Sequence, residues 1–343
     1  MKEITIAEVR AFLQEIEGQE ISLDKLRSEL GIEKYNPQGE ITKSFVAIRP
    51  IVSELVDHKL LRYVSRGQYM VVKQVAPVQV YGVDREDRPP FDLIFPRDFD
   101  TMIEMDFAQY VVIREGDLIS IGGIKSAGKS TLCMSFGGEN IDKNPVLMGN
   151  EYTIFTEQKY DIAPRFKKRF DTMSITNGGW IDWTDKDGKD KFTLLPVWSD
   201  YAEHIVKNKI NIIDWVDLPG EYYMISPLMK DIKKAIGRGV GIIALQKSEN
   251  RANPRGDQMA RDFADLEFIL DGFGNNPYDV LLTIRGAKET TAPIVGKTYV
   301  YHISEGVKIH NFREVKKCPE CRGTGYKASK PCELCYTLKF VDA

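Results

Sequence analysis

No run of apolar residues in the chain approaches the ~18–20 needed to span a bilayer. The opening residues, MKEITIAEVR, mix both charge signs and lack the apolar stretch of a signal peptide. Neither sign of charge is in excess: 47 Lys and Arg stand against 50 Asp and Glu, a formal net of −3 over 343 residues. Internal repeats and low-complexity tracts are absent. These absences argue against membrane insertion, secretion and disorder, and predict a cytoplasmic protein. Cysteine is scarce, five in all, and four of the five form two CxxC pairs at one end. That placement favours metal ligation in a reducing compartment over disulfides. What is present is ordinary: 43% hydrophobic and 28% charged residues, enough to bury a sizeable core. At roughly 100–200 residues per domain, two or three domains are expected.

Charge is segregated along the chain even though the total is near neutral. Residues 1–75 read as three helices capped by Thr5, Ser22 and Thr42, ending in a hairpin around Gly67. Val9, Phe12, Leu13 and Ile16 mark the inner face of the first helix, expected to run to about Glu17. Leu23, Leu26 and Leu30 mark the second. Phe45, Ile48, Ile51, Val52 and Leu55 mark the third, running from Lys43 to about Lys59, with Pro50 an unexplained cost in its middle. Over residues 43–73 six Lys and Arg face two acids, net +4, whereas residues 1–42 carry net −4. Three helices and a hairpin resemble a winged helix-turn-helix, with the third helix as reader and Ser65–Gln68 as wing tip. The basic side lies where such domains dock on DNA. Lys43, Arg49, Arg62 and Arg66 are the candidate phosphate contacts. A winged helix that binds protein, or a merely solvated charged face, is the alternative.

Residues 76–100, with Pro77, Pro89, Pro90 and Pro96, read as a linker with a stiff extended part. From 101 to 315, short β-branched strands alternate with amphipathic helices, as in an α/β domain with a parallel central sheet. Within it, Gly123, Ile124, Lys125, Ser126, Ala127, Gly128, Lys129 and Ser130 spell GxxxxGK[ST], followed by Thr131. The motif sits after the strand DLISIG and before a helix expected to reach about Phe136, which is the context a phosphate-binding loop requires. Inward-turned backbone N–H groups and a helix N-terminus suit phosphate oxygens. Lys129 would reach the β/γ-phosphates of ATP, and the Ser130 hydroxyl would ligate Mg²⁺. Cys133 just beyond reads as a buried small hydrophobe.

Hydrolysis also needs carboxylates. The strand PVLMGN ends in Glu151, placed to polarise an attacking water. Further on, Ile210-Asn-Ile-Ile-Asp214 is an apolar strand ending in an acid, the Walker B arrangement that holds Mg²⁺, with Asp217 as the fallback.

INIIDWVDL, a helix around Ile225–Ile236 and then GVGIIALQKSENR resemble the RecA/DnaB-like P-loop ATPases, of the phage or replication type. The resemblance covers roughly residues 100–315 and implies a RecA-like fold. It implies that Gln246 senses the γ-phosphate and couples hydrolysis to the nucleic-acid loops. Arg261 and FADLEFIL match the following segment. DVLLTIRGAK resembles the strand from which such proteins send basic residues into a neighbour's ATP site, with Arg285 and Lys288 as candidates. Their spacing departs from the usual Lys-x-Arg, so the finger is open between them. The resemblance further implies DNA as a partner, self-association as a ring or filament with a hexamer favoured, and contacts with other replication or recombination proteins. No primase segment is present.

Residues 172–194 read as an inserted hairpin holding Trp180 and Trp183. Its DKDGKD turn fails as a calcium loop, because aligning Gly188 puts Trp183 and Leu194 at ligand positions. The two Trp rings suit packing more than stacking on single-stranded bases. In residues 316–343, Cys318, Cys321, Cys332 and Cys335 have the spacing of a four-cysteine zinc ribbon, with Gly323 and Gly325 permitting a tight knuckle. CPECRGTG resembles half of the zinc repeat of DnaJ-type chaperones. Disulfides in an oxidised preparation are the alternative to Zn²⁺. Residues 313–339 carry net +4 before the thiolates are counted, and both nucleic acid and partner protein suit them.

Two functions fit these features. One is a DNA-dependent ATPase that hydrolyses ATP at subunit interfaces, as a helicase-like, replication or recombination motor. The other is an ATP-gated DNA-binding adaptor or helicase loader in which slow hydrolysis times release. A phosphotransferase switch is weaker, since no acceptor segment is evident.

Overall fold

In the computed structural model, which describes residues 3–75, 89–149, 151–216, 224–247 and 262–343, three side chains start three helices. Thr5 caps α1 (Ile6–Glu15) in a reciprocal box with Glu8. After β1 (Glu20–Ser22), Ser22 caps α2 (Leu23–Glu29), and Thr42 caps α3 (Lys43–Asp57). Strands β2 (Leu61–Ser65) and β3 (Gln68–Val71) follow. The helices end one or two residues earlier than expected. Strand β1 is too short to show alternation in the sequence; it pairs with β3, giving the order β1-β3-β2. Val9, Leu13, Leu26, Ile48, Val52, Leu55, Leu61 and Val71 form the core. Pro50 is tolerated because it and Val46, whose carbonyl its missing N–H would have met, are both exposed to water.

The chain divides into two compact units, Met1–Asp87 and Arg88–Ala343. In the second, β4 (Leu118–Gly123) leads through the glycine-rich loop to α4 (Lys129–Glu139) and β5 (Val146–Met148). A hairpin, β6 (Thr153–Thr156) and β7 (Lys159–Ile162), precedes α5 (Pro164–Met173). Then come β8 (Thr193–Leu195), β9 (Ile210–Val216), α6 (Ile225–Ala235), β10 (Val240–Gln246) and β11 (Leu266–Gly272). The remainder is β12 (Asp279–Ala287), β13 (Thr298–Ser304), β14 (Lys308–Lys317), β15 (Tyr326–Lys327), β16 (Lys330–Pro331) and β17 (Phe340–Asp342).

One ten-stranded sheet organises this unit, in the order β17-β14-β13-β12-β11-β4-β10-β9-β5-β8. The expectation of a parallel sheet holds from β11 to β8. From β12 to β17 every pairing is antiparallel. The burial pattern gives the reason. Every residue of β4 is buried, as a strand covered on both faces must be, whereas the first six residues of β12 alternate. Ile119, Ile121, Ile212 and Ile242 face a layer that includes α4 and α5; Leu118, Ile213, Ile243 and Leu245 pack with Ile225, Met229 and Ile232 of α6 on the other side. No described helix is long and apolar enough to cross a membrane.

Two expectations are corrected. Residues 89–100 are not a linker: Phe95 packs on Phe107 and Phe136 with ring centroids 5.8 and 5.5 Å apart. The Asn140 side chain bonds both backbone groups of Ile94. Residues 76–88 lie outside the described residues. Within 172–194 the DKDGKD turn does form, with Thr184 bridged antiparallel to Asp190 and the Lys191 N–H donating to the Trp183 carbonyl, but the segment is not an insertion. Residues 193–195 form the sheet's edge strand, parallel to β5. Trp183 is buried and donates to the Phe170 carbonyl, while Trp180 donates to Glu139.

Candidate functional site

The glycine-rich loop leaves β4 at the carboxyl end of the parallel strands, where open α/β sheets hold ligands. Its glycines are required by close approach. A Cβ on Gly123 would stand 3.0 Å from that of Leu270, and one on Gly128, at φ +85°, 2.5 Å from Ile303. Ser126 also takes a positive φ, 65°. Ile124 and Ala127 close a turn through their backbones at 3.3 Å, while Lys125 and Ser126 are exposed. Gln246 lies beside Gly123 in register on the neighbouring strand.

Lys129 is buried, and its ammonium donates to the carbonyls of Gly123 (3.0 Å) and Ile124 (2.8 Å). Burial brings its pKa down to about 8, against the pull of Asp214, Cys133 and Glu151. Asp214 is inside β9 rather than at its end, since the strand continues to Val216. Burial raises its pKa, while the Ser130 hydroxyl and Lys129 pull the other way, and its Oδ1 has no hydrogen-bond partner. Cys133 is fully buried and its thiol pushed well up by that burial, as suits a core residue. An unpartnered buried carboxylate oxygen beside a hydroxyl is a fitting donor set for Mg²⁺, with Ser130 and Asp214 as the holders. Asp217 and Arg261 fall outside the described residues.

A pocket of about 300 Å³ opens over the loop. Lys125, Ser126, Gly128, Lys129, Ser130 and Thr131 form its floor, and Glu151, Trp215 and Gln246 one wall. The structure thus brings Lys129, Ser130, Glu151 and Gln246, each expected at the site, to one cavity. Thr131 is tied inward, donating to the Gly306 carbonyl at 2.9 Å. Arg165, Arg169, Pro277, Tyr278 and Ile303 line the same pocket and are additions to the expected set. Arg165 and Arg169 stand one helical turn apart in the basic stretch RFKKR, which begins only 14 residues beyond Glu151. That basic cluster was the available signal. Arg165 Nη2 donates to Glu151 Oε2 at 2.9 Å.

Arg285 and Lys288 are elsewhere. Arg285 sits at the β11–β12 bulge, between residues paired with Phe268 and Glu267. Lys288 pairs with Asp265 at 2.8 Å, and Asp265 accepts from the N–H of Leu118, the first residue of β4. That is the far end of the sheet from the loop.

At the C-terminus the four cysteines are buried with their sulfurs within 4.8 Å of one another. Cys318–Cys332 and Cys321–Cys335 sulfurs are 3.7 and 3.6 Å apart. Tetrahedral Zn²⁺ with Zn–S near 2.3 Å sets its sulfurs about 3.8 Å apart. The Gly325 N–H donates to Cys321 Sγ at 3.3 Å, support suited to a thiolate. The cluster fits zinc. It is rooted in the main sheet, because β14 runs into Cys318 and β17 returns to pair with β14.

In the first unit Lys43, Arg49, Arg62 and Arg66 are all exposed. Arg49 and Arg66 share a groove of about 660 Å³ with Arg27, Tyr63 and Tyr69; Lys43 and Arg62 do not line it.

No family model and no curated protein matches the chain. Among solved structures, one titled "Crystal structure of the RadB recombinase" aligns with a TM-score of 0.42 and 14% identity. The alignment covers 58% of this chain and 91% of that one, a likeness too slight to show a family.

Proposed function

We propose that the chain is a DNA-binding ATPase of the RecA/DnaB-like class, hydrolysing ATP at subunit interfaces. One observation carries the proposal: Lys129, Ser130, Glu151 and Gln246 meet around a single pocket above a buried, unpartnered Asp214 oxygen. Loop N–H groups and Lys129 hold the β/γ-phosphates. Ser130 and Asp214 hold Mg²⁺, which supplies charge neutralisation when bound. Glu151 takes the proton of the attacking water, and Gln246 reports the γ-phosphate. Arg285 or Lys288 of a neighbouring subunit completes the site, and Lys288 gives up Asp265 to do so. The helix–strand–helix–helix–hairpin order of the first unit supports a winged helix. Lys43, Arg49, Arg62 and Arg66 are its phosphate contacts. The zinc-bound cysteine module serves nucleic acid or a partner protein.

A second function, the ATP-gated adaptor or loader, is favoured by one contact. Glu151 is held by Arg165, which restrains the base and suits slow turnover. Measuring ATP turnover without DNA, with single strands and with duplex separates the two. Strong stimulation by DNA supports the motor, and slow turnover indifferent to DNA supports the adaptor. Turnover that Lys129→Ala leaves unchanged would refute both.

A further inference from the structure

We infer that Arg165 is a catalytic arginine acting within its own subunit. It holds Glu151 while the site lacks a triphosphate, and moves to the γ-phosphate when ATP binds, releasing the base. The inference rests on the ATPase function proposed above and adds a residue to it.

Position carries the inference. The strand that ends near Glu151 continues through the β6–β7 hairpin into α5, whose second residue is Arg165. The guanidinium lines the same 300 Å³ pocket as Lys129 and Ser130, and bonds Glu151 at 2.9 Å. Both partners are substantially exposed, 63% and 42%, so the pair is weak and exchangeable. A phosphate offers arginine two parallel charge-assisted bonds and outcompetes such a carboxylate.

The support beneath it is closely packed. Phe166 is buried, stacks edge-on against Tyr152 with centroids 4.6 Å apart, and underlies both Arg165 and Arg169. Arg169 packs against Gly306, where an added Cβ would lie 3.1 Å from its Nε. Gly306 in turn accepts from Thr131 of the phosphate loop. The helix bearing Arg165 is thereby braced against the element that holds the nucleotide. Lys125, Lys129, Arg165 and Arg169 place four cations around the pocket against one lining carboxylate, Glu151. That surplus suits a triphosphate.

In the step itself, the water oxygen bonds to the γ-phosphorus as the bond to the β–γ bridging oxygen breaks. Its electron pair leaves with ADP, and Glu151 takes the water proton. Arg165 meets the charge on the transferring oxygens from within the subunit, and Arg285 or Lys288 of the neighbour shares that charge from the other side.

The test uses the full chain as wild type, Arg165→Ala, Arg165→Lys and Lys129→Ala, measuring ATP turnover and the binding of ATPγS and ADP. Arg165→Ala should lower turnover roughly 10³-fold. ATPγS binding should weaken roughly tenfold or more, with ADP binding unchanged because only the γ-phosphate contact is lost. Arg165→Lys should recover part of both. Unchanged turnover in Arg165→Ala, or equal loss of ATPγS and ADP affinity, would overturn the inference in favour of a structural role. Should the wild type show no Lys129-dependent ATP binding or turnover, the ATPase function itself fails, and this inference with it.

Discussion

Two buried carboxylates stand at opposite ends of the parallel strands, and they are treated differently. Asp265, at the amino end, meets Lys233, Lys288 and the Leu118 N–H. Burial opposes its ionisation, but those partners hold its pKa below the ordinary carboxylate value. Asp214, near the carboxyl end, keeps an oxygen without a partner, and burial raises its pKa. Lys129 beside it is buried on carbonyls rather than on an acid. One end is compensated and supports the fold. The other is left incomplete, in a way that phosphates and a divalent cation would complete.

The sharpest way to break that contrast is at Lys129. Lys129→Ala should abolish ATP hydrolysis and most triphosphate affinity. The apo protein should melt no earlier, since a desolvated ammonium is removed. Glu151→Gln should instead retain bound ATP while turnover stops; wild-type rates in that variant would remove Glu151 from the base role.

The carboxylates themselves come next. Asp265→Ala strands two ammonium groups and a backbone donor. Because both lysines reach solvent, we expect a loss of about 2 kcal/mol rather than the larger cost of a fully buried pair. Asp214→Asn should leave apo stability unchanged or raise it, while abolishing Mg²⁺-dependent turnover. Urea titrations of the two proteins without nucleotide give the comparison, and equal destabilisation would erase it. A depressed pKa stabilises the fold above the unfolded value, about 3.9, and the gain disappears as pH falls. Asp265→Ala should therefore approach wild-type stability under acid conditions.

A smaller effect concerns protons. Free Lys129 loses its charge as pH rises through about 8. Triphosphate favours the ammonium, so binding takes up a proton there, and affinity should fall up to about tenfold per pH unit above that point. Calorimetry in buffers of different ionisation enthalpy measures the uptake. A flat profile between pH 7 and 9 would place the charge elsewhere.

The smallest change expected is in the first unit. Arg49 and Arg66 share a groove, so removing both should cut the log–log salt slope of duplex binding by ~0.9 for each lost contact. Arg62→Ala should cost no more than either. An unchanged slope would make this unit a protein-binding module.

Much of the site was legible because its chemistry is local. GxxxxGK[ST] is a contiguous backbone solution for phosphate, and Asp214 and Gln246 are tied to apolar runs that read as strands. Gly149 carries no such signal, although an added Cβ there would fall 1.8 Å from the Asp214 carbonyl. That crowding arises between strands distant in sequence, and no local pattern encodes it. Arg165 and Arg169 were legible only as a basic cluster, not as site residues, for the same reason. In the sequence they are part of a basic helical stretch; only the fold turns them toward the pocket over the glycine-rich loop.

By itself, then, the sequence determined what short-range geometry and residue type can specify: helix caps at Thr5, Ser22 and Thr42, the phosphate loop, and four cysteines at zinc spacing. Tertiary structure alone decided the rest. It made the sheet antiparallel from β12 to β17, drew residues 89–100 into the core, placed Lys288 on Asp265 and set Arg165 against Glu151. Each of these outcomes depends on which surfaces are covered and which charges meet across the fold. Burial and Coulomb energy are properties of the assembled neighbours, and they have no counterpart in the order of the residues.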